Sequence, residues 1–242
     1  MNRTRTLVVL LVALTIVNIS WTAAVDSRTA NLASDVDGVE RNQSVIAAAV
    51  GANGSLDGES SVNVSLYAYD ENTDDARAVP TRVVAVPANG LYVDVRDVTH
   101  GVATQRATQR AWAVANGSDT PPAYRGGIVR IHPPESWNTV GGGSAALGVS
   151  LGFAATNPCV SLNRSVAATG GLDTDGTVRR VGHVEEKAIA AREDGVRTLL
   201  VPNGQRVSVP GIEVVGVQTF EAAAQQMLQV EQNCSTARQT VA

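Results

Sequence analysis

The chain has 242 residues, a hydrophobic fraction of 44% and a formal net charge of −4 at pH 7. This length predicts one compact domain with a terminal extension, and the weakly acidic charge gives no strong attraction to nucleic acid. The three histidines are dispersed and the two cysteines lie far apart. Because no group of metal ligands is visible, we expect no metal site and no other cofactor.

The first 25 residues predict a membrane anchor or a signal peptide. Arg3 and Arg5 precede an apolar run over residues 7–25, which is just long enough to span a bilayer. The paired arginines favour a cytoplasmic N-terminus with the following domain outside the cell. We favour a retained single-pass anchor, but cleavage after Thr22-Ala23-Ala24 would instead give a secreted protein.

Glycosylation sequons and cysteines also suggest export. Chance placement would give about two sequons, whereas Asn-x-Ser sequons start at six positions outside the apolar run: Asn42, Asn53, Asn63, Asn116, Asn163 and Asn233. Cys159 and Cys234 form an even pair, which is compatible with a disulfide or with two free thiols.

Beyond the apolar run, the pattern predicts three further segments. Residues 26–60 are rich in Ser, Asp, Asn and Gly and predict a polar tether, with at most a short strand at 44–50. Residues 61–233 form the main domain, and residues 234–242 a tail.

The main domain predicts an α+β fold. Residue periodicity predicts strands at 62–69, 82–86, 91–95, 127–132, 165–169, 178–181, 198–201 and 212–217. Helices are predicted at 98–115, from Ser144 to Thr156, at 183–194 and at 220–231. The segment Pro87-Ala88-Asn89-Gly90 predicts a hairpin between the second and third strands.

Lys187 is the only lysine among the nineteen Lys and Arg residues. Arginine stays protonated at any working pH, whereas a buried lysine can lose its proton and act as a base. A neutral lysine can activate a serine nucleophile where no histidine does so. The alternative is an ordinary surface lysine.

Several motifs around this lysine occur in register. Ser144 lies in the segment Gly141-Gly142-Gly143-Ser144-Ala145-Ala146-Leu147-Gly148, 43 positions before Lys187. Between them lie Ala168-Thr169-Gly170-Gly171-Leu172 and Val181-Gly182-His183-Val184-Glu185-Glu186. Together with Ile131-His132-Pro133-Pro134-Glu135, these segments make residues 80–232 resemble the proteolytic domain of Lon proteases.

The resemblance implies a Lon-like mixed sheet with packed helices and a serine endopeptidase with a Ser144/Lys187 dyad. It implies supporting roles for Thr169 and His132 and an oxyanion loop that includes Gly142, Gly143 and Ala145. The chain departs from the family pattern at four positions: Gly141 replaces an acidic residue, Gly143 a Pro, Ala146 a Gly and Gly171 a Glu. These departures concern the shape of the loop and leave the dyad intact.

A buried lysine needs apolar neighbours, because desolvation lowers its pKa. We expect them to be Val184, Ala188, Ile189 and Ala191. The carboxylates of Glu185 and Glu186 would oppose that shift, so we expect both to point to solvent.

The sequence also lacks the nucleotide-binding motif of Lon ATPases. A Walker A loop requires a Lys followed by Ser or Thr, and the only Lys is followed by Ala188. We therefore expect ATP-independent cleavage of unfolded proteins or peptides, with a homo-oligomer as a possible state.

Two alternatives stay open. The first is a catalytically idle Lon-like domain used for binding or assembly. In the second, Gly141–Gly148 cradles phosphate, as in small-molecule kinases of the GHMP group.

Overall fold

The computed structural model describes residues 60–94 and 98–231. They belong to one compact unit that begins at residue 56. The predicted anchor, the tether before residue 60, Cys234 and the tail lie outside the described residues. Within the described ranges, no helix is long and apolar enough to cross a membrane.

The described residues confirm the predicted mixture of helices and strands. The helices are α1 (Val102–Gly117), α2 (Ala146–Ala155), α3 (Val184–Glu193) and α4 (Phe220–Met227). The strands are β1 (Ser60–Asp70), β2 (Asp75–Val86), β3 (Gly90–Asp94), β4 (Thr99–His100), β5 (Gly126–Ile131), β6 (Thr139–Val140), β7 (Val160–Leu162), β8 (Val166–Ala168), β9 (Gly171–Leu172), β10 (Val178–Arg179), β11 (Thr198–Pro202), β12 (Glu213–Val217) and β13 (Leu228–Val230).

Two sheets form the framework. The larger sheet has the order β1-β2-β5-β3, and it is mixed because β3 runs parallel to β5 while the other neighbours are antiparallel. The smaller sheet has the order β12-β11-β8 and is entirely parallel. The short pairs β4–β6, β9–β10 and β7–β13 complete the described strand pairings.

The hairpin predicted at residues 87–90 is wrong. Strands β2 and β3 do not pair with each other, because β5 lies between them and pairs with both. Gly126, at the start of β5, permits this insertion. A Cβ atom at this position would lie 1.8 Å from the Ala88 carbonyl oxygen, so the backbones approach at a distance that only glycine allows. The hairpin of this sheet is β1–β2, whose register runs from Ser60↔Ala85 to Asp70↔Asp75.

The two faces of β1 are covered by different helices, as the alternation of its side chains requires. Leu66 belongs to a buried cluster that includes Phe153 of α2. Its neighbour Tyr67 belongs to another buried cluster, which includes Ala188 of α3. Strand β1 therefore lies between the two helices that carry the chemically important segments.

Helix α2 is buried on every side. All ten of its residues are buried, from Ala146 to Ala155, as is typical of a helix enclosed within a core. Gly148 lets β1 approach closely, because a Cβ atom there would lie 2.7 Å from Leu66 Cδ2. The close packing holds the start of α2, and the residues just before it, in one position.

The predicted C-terminal helix is too long. The structure ends α4 at Met227, and Leu228–Val230 form β13, which pairs antiparallel with β7. An edge pairing with a distant strand has no local sequence signal, so helix periodicity could not detect it. The other unpredicted strands, β4, β6, β7 and β9, are two or three residues long.

The insertion of β5 gives a stability prediction. We expect Gly126→Ala to lower the free energy of unfolding by about 2 kcal/mol or more, because backbone must move to admit the methyl group. Gly117→Ala is the matched control, since nothing lies within 4 Å of its Cβ position. Urea unfolding followed by tryptophan fluorescence measures both; equal stability of the two variants would contradict the role of Gly126.

Candidate active site

Ser144 lies in the turn that leads from a glycine segment into α2. Gly142 has φ of +93°, a conformation that side chains other than glycine rarely adopt. The turn is tied to the chain after β8 by two hydrogen bonds. The Gly170 N–H donates to the Ser144 carbonyl oxygen at 2.9 Å, and the Leu147 N–H donates to the Gly170 carbonyl oxygen at 3.0 Å. These bonds fix the backbone on both sides of the serine side chain.

Lys187 lies in the first half of α3 and reaches this turn. Its side chain is 4% exposed, and its Nζ lies 3.2 Å from Ser144 Oγ. The distance permits a hydrogen bond, and a neutral amine could accept the hydroxyl proton along it. The structure thus brings together the serine and the only lysine of the chain, two residues predicted to form a dyad.

Burial lowers the pKa of Lys187 to about 8, while the charge of Glu186 acts to raise it. The cause is desolvation, which disfavours the ammonium form. Of the expected neighbours, Val184, Ala188 and Ala191 are buried, and Ile189 is half-buried.

The expectation for the two glutamates is only half right. Glu185 is exposed, but Glu186 is half-buried and close enough to act on the lysine. Glu186 Oε1 also lies 3.8 Å from His183 Nδ1, one helical turn back, which keeps its side chain at the start of α3.

The backbone before α2 offers hydrogen-bond donors. In the part of the chain that the structure describes, the N–H groups of Gly143, Ser144 and Ala145 donate to no backbone carbonyl. Gly142 and Gly143 are exposed, and Ala145 is half-buried. These donors at a helix start can stabilise an oxygen that becomes negatively charged. Gly143 and Ala145 are two of the three residues that the resemblance assigned to the oxyanion loop.

Thr104 of α1 holds this loop from behind, and sequence reasoning missed it. Its buried hydroxyl lies 3.0 Å from the Val140 carbonyl oxygen and 3.2 Å from that of Gly142. The Gly101 N–H also donates to Val140 O at 3.0 Å. Because these partners are distant in sequence, no local pattern around Thr104 indicates the contact.

Thr169 lies beside the dyad segment, directly after β8. Its N–H donates to the Leu200 carbonyl oxygen at 2.9 Å, which joins it to β11. Its side chain is 1% exposed, and its Oγ1 has no hydrogen-bond partner among the described residues. A buried hydroxyl without a partner is unusual, and Thr169 lines neither of the two spaces beside Ser144 that are described below.

The resemblance implied that His132 lines the site, but the structure does not place it in the lining. It follows β5, its N–H donates to the Pro80 carbonyl oxygen, and its side chain is exposed. It lines neither of the two spaces beside Ser144 that are described below.

An open cleft leads to the dyad. It has a volume of about 570 Å³, and its lining includes Tyr69, Arg180, His183 and Lys187 as well as Ser144. The Tyr69 and His183 rings stack with centroids 3.5 Å apart and planes 7° apart. His183 adopts the left-handed conformation, with φ of +58°, which is uncommon for a residue with a side chain. This pair forms a wall of the cleft next to α3.

Neither a group of metal ligands nor a free cysteine is found near the dyad among the described residues. Over residues 60–94 and 98–231, no group of three or more His, Cys, Asp or Glu residues could hold a metal ion. Cys159 is disulfide-bonded, and Cys234 lies outside the described residues.

Comparison with known proteins agrees with this geometry. The family of the Lon protease (S16) C-terminal proteolytic domain matches residues 92–227, which is more than half of the chain. The chain is 31% identical over 96 residues to the archaeal Lon protease of Methanocaldococcus jannaschii, covering 38% of this chain and 15% of that protein.

Two further relatives show the same partial overlap. The Lon protease of Magnetococcus marinus is 39% identical over 83 residues, covering 33% of this chain and 10% of the relative. The mitochondrial Lon protease homolog of Saccharomyces cerevisiae is 34% identical over 74 residues, covering 31% of this chain and 6% of the relative. The matched region thus spans a small part of each relative. From the family match, the chain belongs to the Lon protease C-terminal proteolytic domain family.

Proposed function

We propose that this chain is an endopeptidase in which Ser144 is the nucleophile and Lys187 is the general base. The observation that carries the proposal is the 3.2 Å separation of Lys187 Nζ from Ser144 Oγ, with the lysine buried and its pKa lowered to about 8. A serine hydroxyl alone is a weak nucleophile. A neutral amine at hydrogen-bond distance supplies the base that it needs.

The first half of the reaction forms an acyl-enzyme. Ser144 Oγ attacks the carbonyl carbon of the scissile peptide bond while its proton passes to Lys187 Nζ. The carbonyl oxygen becomes an oxyanion and accepts hydrogen bonds from the N–H groups of the loop before α2. The intermediate then collapses, the C–N bond breaks, and Lys187 returns the proton to the departing amine.

The second half releases the acyl group. Neutral Lys187 takes a proton from a water molecule, and the hydroxyl oxygen attacks the ester carbonyl carbon. Collapse of this intermediate breaks the bond to Ser144 Oγ, and the proton on Lys187 returns to that oxygen. Lys187 carries a proton in each intermediate.

We further propose that cleavage requires no ATP and that the substrates are unfolded proteins or peptides. The absence of a Walker lysine in the chain supports ATP independence. An open cleft of about 570 Å³ supports extended substrates. The apolar run at 7–25 and the sequons support a membrane-anchored protein with its domain outside the cell, or a secreted form.

Substitution of the dyad tests the proposal directly. Ser144→Ala, Lys187→Ala and Lys187→Arg should each lower casein cleavage by the full chain by about 1,000-fold or more, and the double alanine variant should be no worse. Arginine cannot serve as a neutral base, so its charge does not rescue activity. Cleavage products are measured by gel and mass spectrometry, with Arg192→Lys in the last turn of α3 as the control that keeps activity.

Two outcomes would contradict the proposal. Substantial activity of Lys187→Arg would exclude the general-base role, and a wild-type protein that cleaves nothing would favour the idle-domain alternative.

Adding ATP and magnesium should change neither the rate of cleavage nor the ATP concentration. ATP consumption would favour the phosphate-loop alternative.

The lowered pKa of Lys187 predicts the pH dependence of cleavage. The base works only when neutral, so kcat/KM should rise with pH, with a midpoint near 8, and then level off. Because the charge of Glu186 raises the lysine pKa, Glu186→Gln should move the midpoint to lower pH. Glu185→Gln, on the exposed face, is the matched control and should leave it unchanged. A midpoint near 10.5 in the wild type would contradict a buried base.

The contact of Thr104 with the loop predicts a positioning role. Thr104→Val should lower kcat about tenfold with little change in KM, because the loop donors lose their fixed position while substrate contacts remain. Thr104→Ser should restore most of the rate, since it keeps the hydroxyl. Thr108→Val is the matched control: Thr108 is also buried on α1, but its hydroxyl donates to the Thr104 carbonyl oxygen and not to the loop. Equal effects of the two valine substitutions would contradict the role.

A further inference from the structure

A second space beside Ser144 differs from the open cleft in size and chemistry. It is a small cavity that offers about 20 Å³ to a water-sized sphere. Ser144, Gly141 and Gly142 line both this cavity and the cleft, so the two spaces meet at the nucleophile. A substrate bound along the cleft can therefore place one group in the cavity.

The walls of the cavity are mainly apolar. Its aliphatic lining consists of Leu66, Ala68, Val79, Ile131, Val140, Ala145 and Ala168. The Thr104 hydroxyl already lies within hydrogen-bond distance of two loop carbonyl oxygens, and the Tyr67 hydroxyl donates to Asp194 Oδ2 at 2.9 Å. Apart from Ser144, no side-chain hydroxyl in the lining is left for an occupant, so a polar side chain entering the cavity would lose its hydrogen bonds to water.

The size of the cavity is as selective as its chemistry. A single water molecule needs about 10–15 Å³ by the same measure, so the cavity has room for about one methyl group. Its walls are held in place, because Leu66 and Val79 are cross-strand partners in the β1–β2 pair and are 5% and 1% exposed. A larger side chain would have to displace packed core residues.

Covalent geometry identifies which part of the substrate enters. In the acyl-enzyme, the carbonyl carbon is bonded to Ser144 Oγ, and the Cβ atom of the same residue is two bonds from that carbon. Because the wall of the cavity includes Ser144 and Ala145, this Cβ can reach it. The loop donors meanwhile orient the carbonyl oxygen.

On the basis of the proposed peptidase function, we propose that this cavity receives the side chain of the residue that donates the scissile carbonyl. The enzyme then cleaves preferentially after alanine and discriminates against leucine and phenylalanine at that position. The substrate class is peptide chain with a small aliphatic residue before the cleaved bond.

A peptide series tests the proposal with the full chain in mild detergent. The substrates are acetyl-Ala-Ala-X-aminomethylcoumarin with X as Ala, Val, Leu or Phe, and the fluorescence of the released coumarin gives kcat/KM. We expect alanine to exceed leucine by at least about tenfold, which is the range in which added methylene groups discriminate in apolar pockets. The Ser144→Ala variant must cleave none of the peptides.

Two substitutions change the size of the cavity in opposite directions. Val79→Ala enlarges it and should raise the ratio of leucine to alanine cleavage at least about tenfold. Ala68→Val fills it and should shift the preference towards glycine in a fifth peptide with X as Gly. The matched control is Val83→Ala, which removes the same atoms from the same strand at a buried position that does not line the cavity; it should leave the ratio unchanged.

Three results would overturn the proposal. The first is a wild-type preference for leucine or phenylalanine, and the second is an equal effect of Val79→Ala and Val83→Ala on the ratio. The third comes from internally quenched peptides: a size preference confined to the residue after the cleaved bond would assign the cavity to the leaving side. In each of these cases Ser144-dependent cleavage persists, so the peptidase function stands. If the wild type cleaves no peptide and no casein, the function and the cavity assignment both fail.

Discussion

A single amine buried beside a serine hydroxyl is the constraint on which the site depends. An ammonium group removed from water is costly, and the protein can reduce that cost by favouring the neutral form of Lys187. Packing sets this balance, because Ala188 and Ala191 belong to the same buried cluster as Tyr67 of β1 and Leu199 of β11. The packing of α3 against these strands therefore determines the protonation state of Lys187 as well as the position of its side chain.

The position of the serine depends on a different set of contacts. Helix α2 is enclosed in the core, and the turn before it is joined to Gly170 after β8 and to Thr104 of α1. Ser144 is thus held by the start of α2 and Lys187 by α3, and these two helices pack on opposite faces of β1. The flexible glycine segment contributes little rigidity of its own; the surrounding backbone and one buried hydroxyl hold it. This arrangement leaves loop N–H groups available to a substrate while the loop itself stays exposed.

Sequence reasoning reached the dyad because its signal is local and repeated. A lone lysine, a glycine segment before a serine and several motifs in register indicate the same chemistry, and helix periodicity placed α2 and α3 within a few residues of their observed limits. The predicted hairpin at residues 87–90 failed because β5, from farther along the chain, pairs with both β2 and β3. The predicted end of α4 was wrong for a similar reason, since β13 forms by pairing with β7, which lies far away in the sequence.

The role of Thr104 and the cavity beside Ser144 could not be predicted, because each is formed by residues that are distant in the sequence. His132 was assigned by resemblance alone, and it lines neither of the two spaces beside Ser144.

Because the chain has one lysine, the central claim can be measured at a single atom. Protein carrying ¹⁵N at the lysine side chain gives one Nζ resonance, whose chemical shift reports protonation of Lys187 as pH changes. The account predicts a midpoint near 8 in the folded protein and a value near 10.5 after unfolding. A folded-state midpoint near 10.5 would contradict it, because the amine would then be almost fully protonated at pH 8, where the account expects about half of it to be neutral and able to take the proton of Ser144.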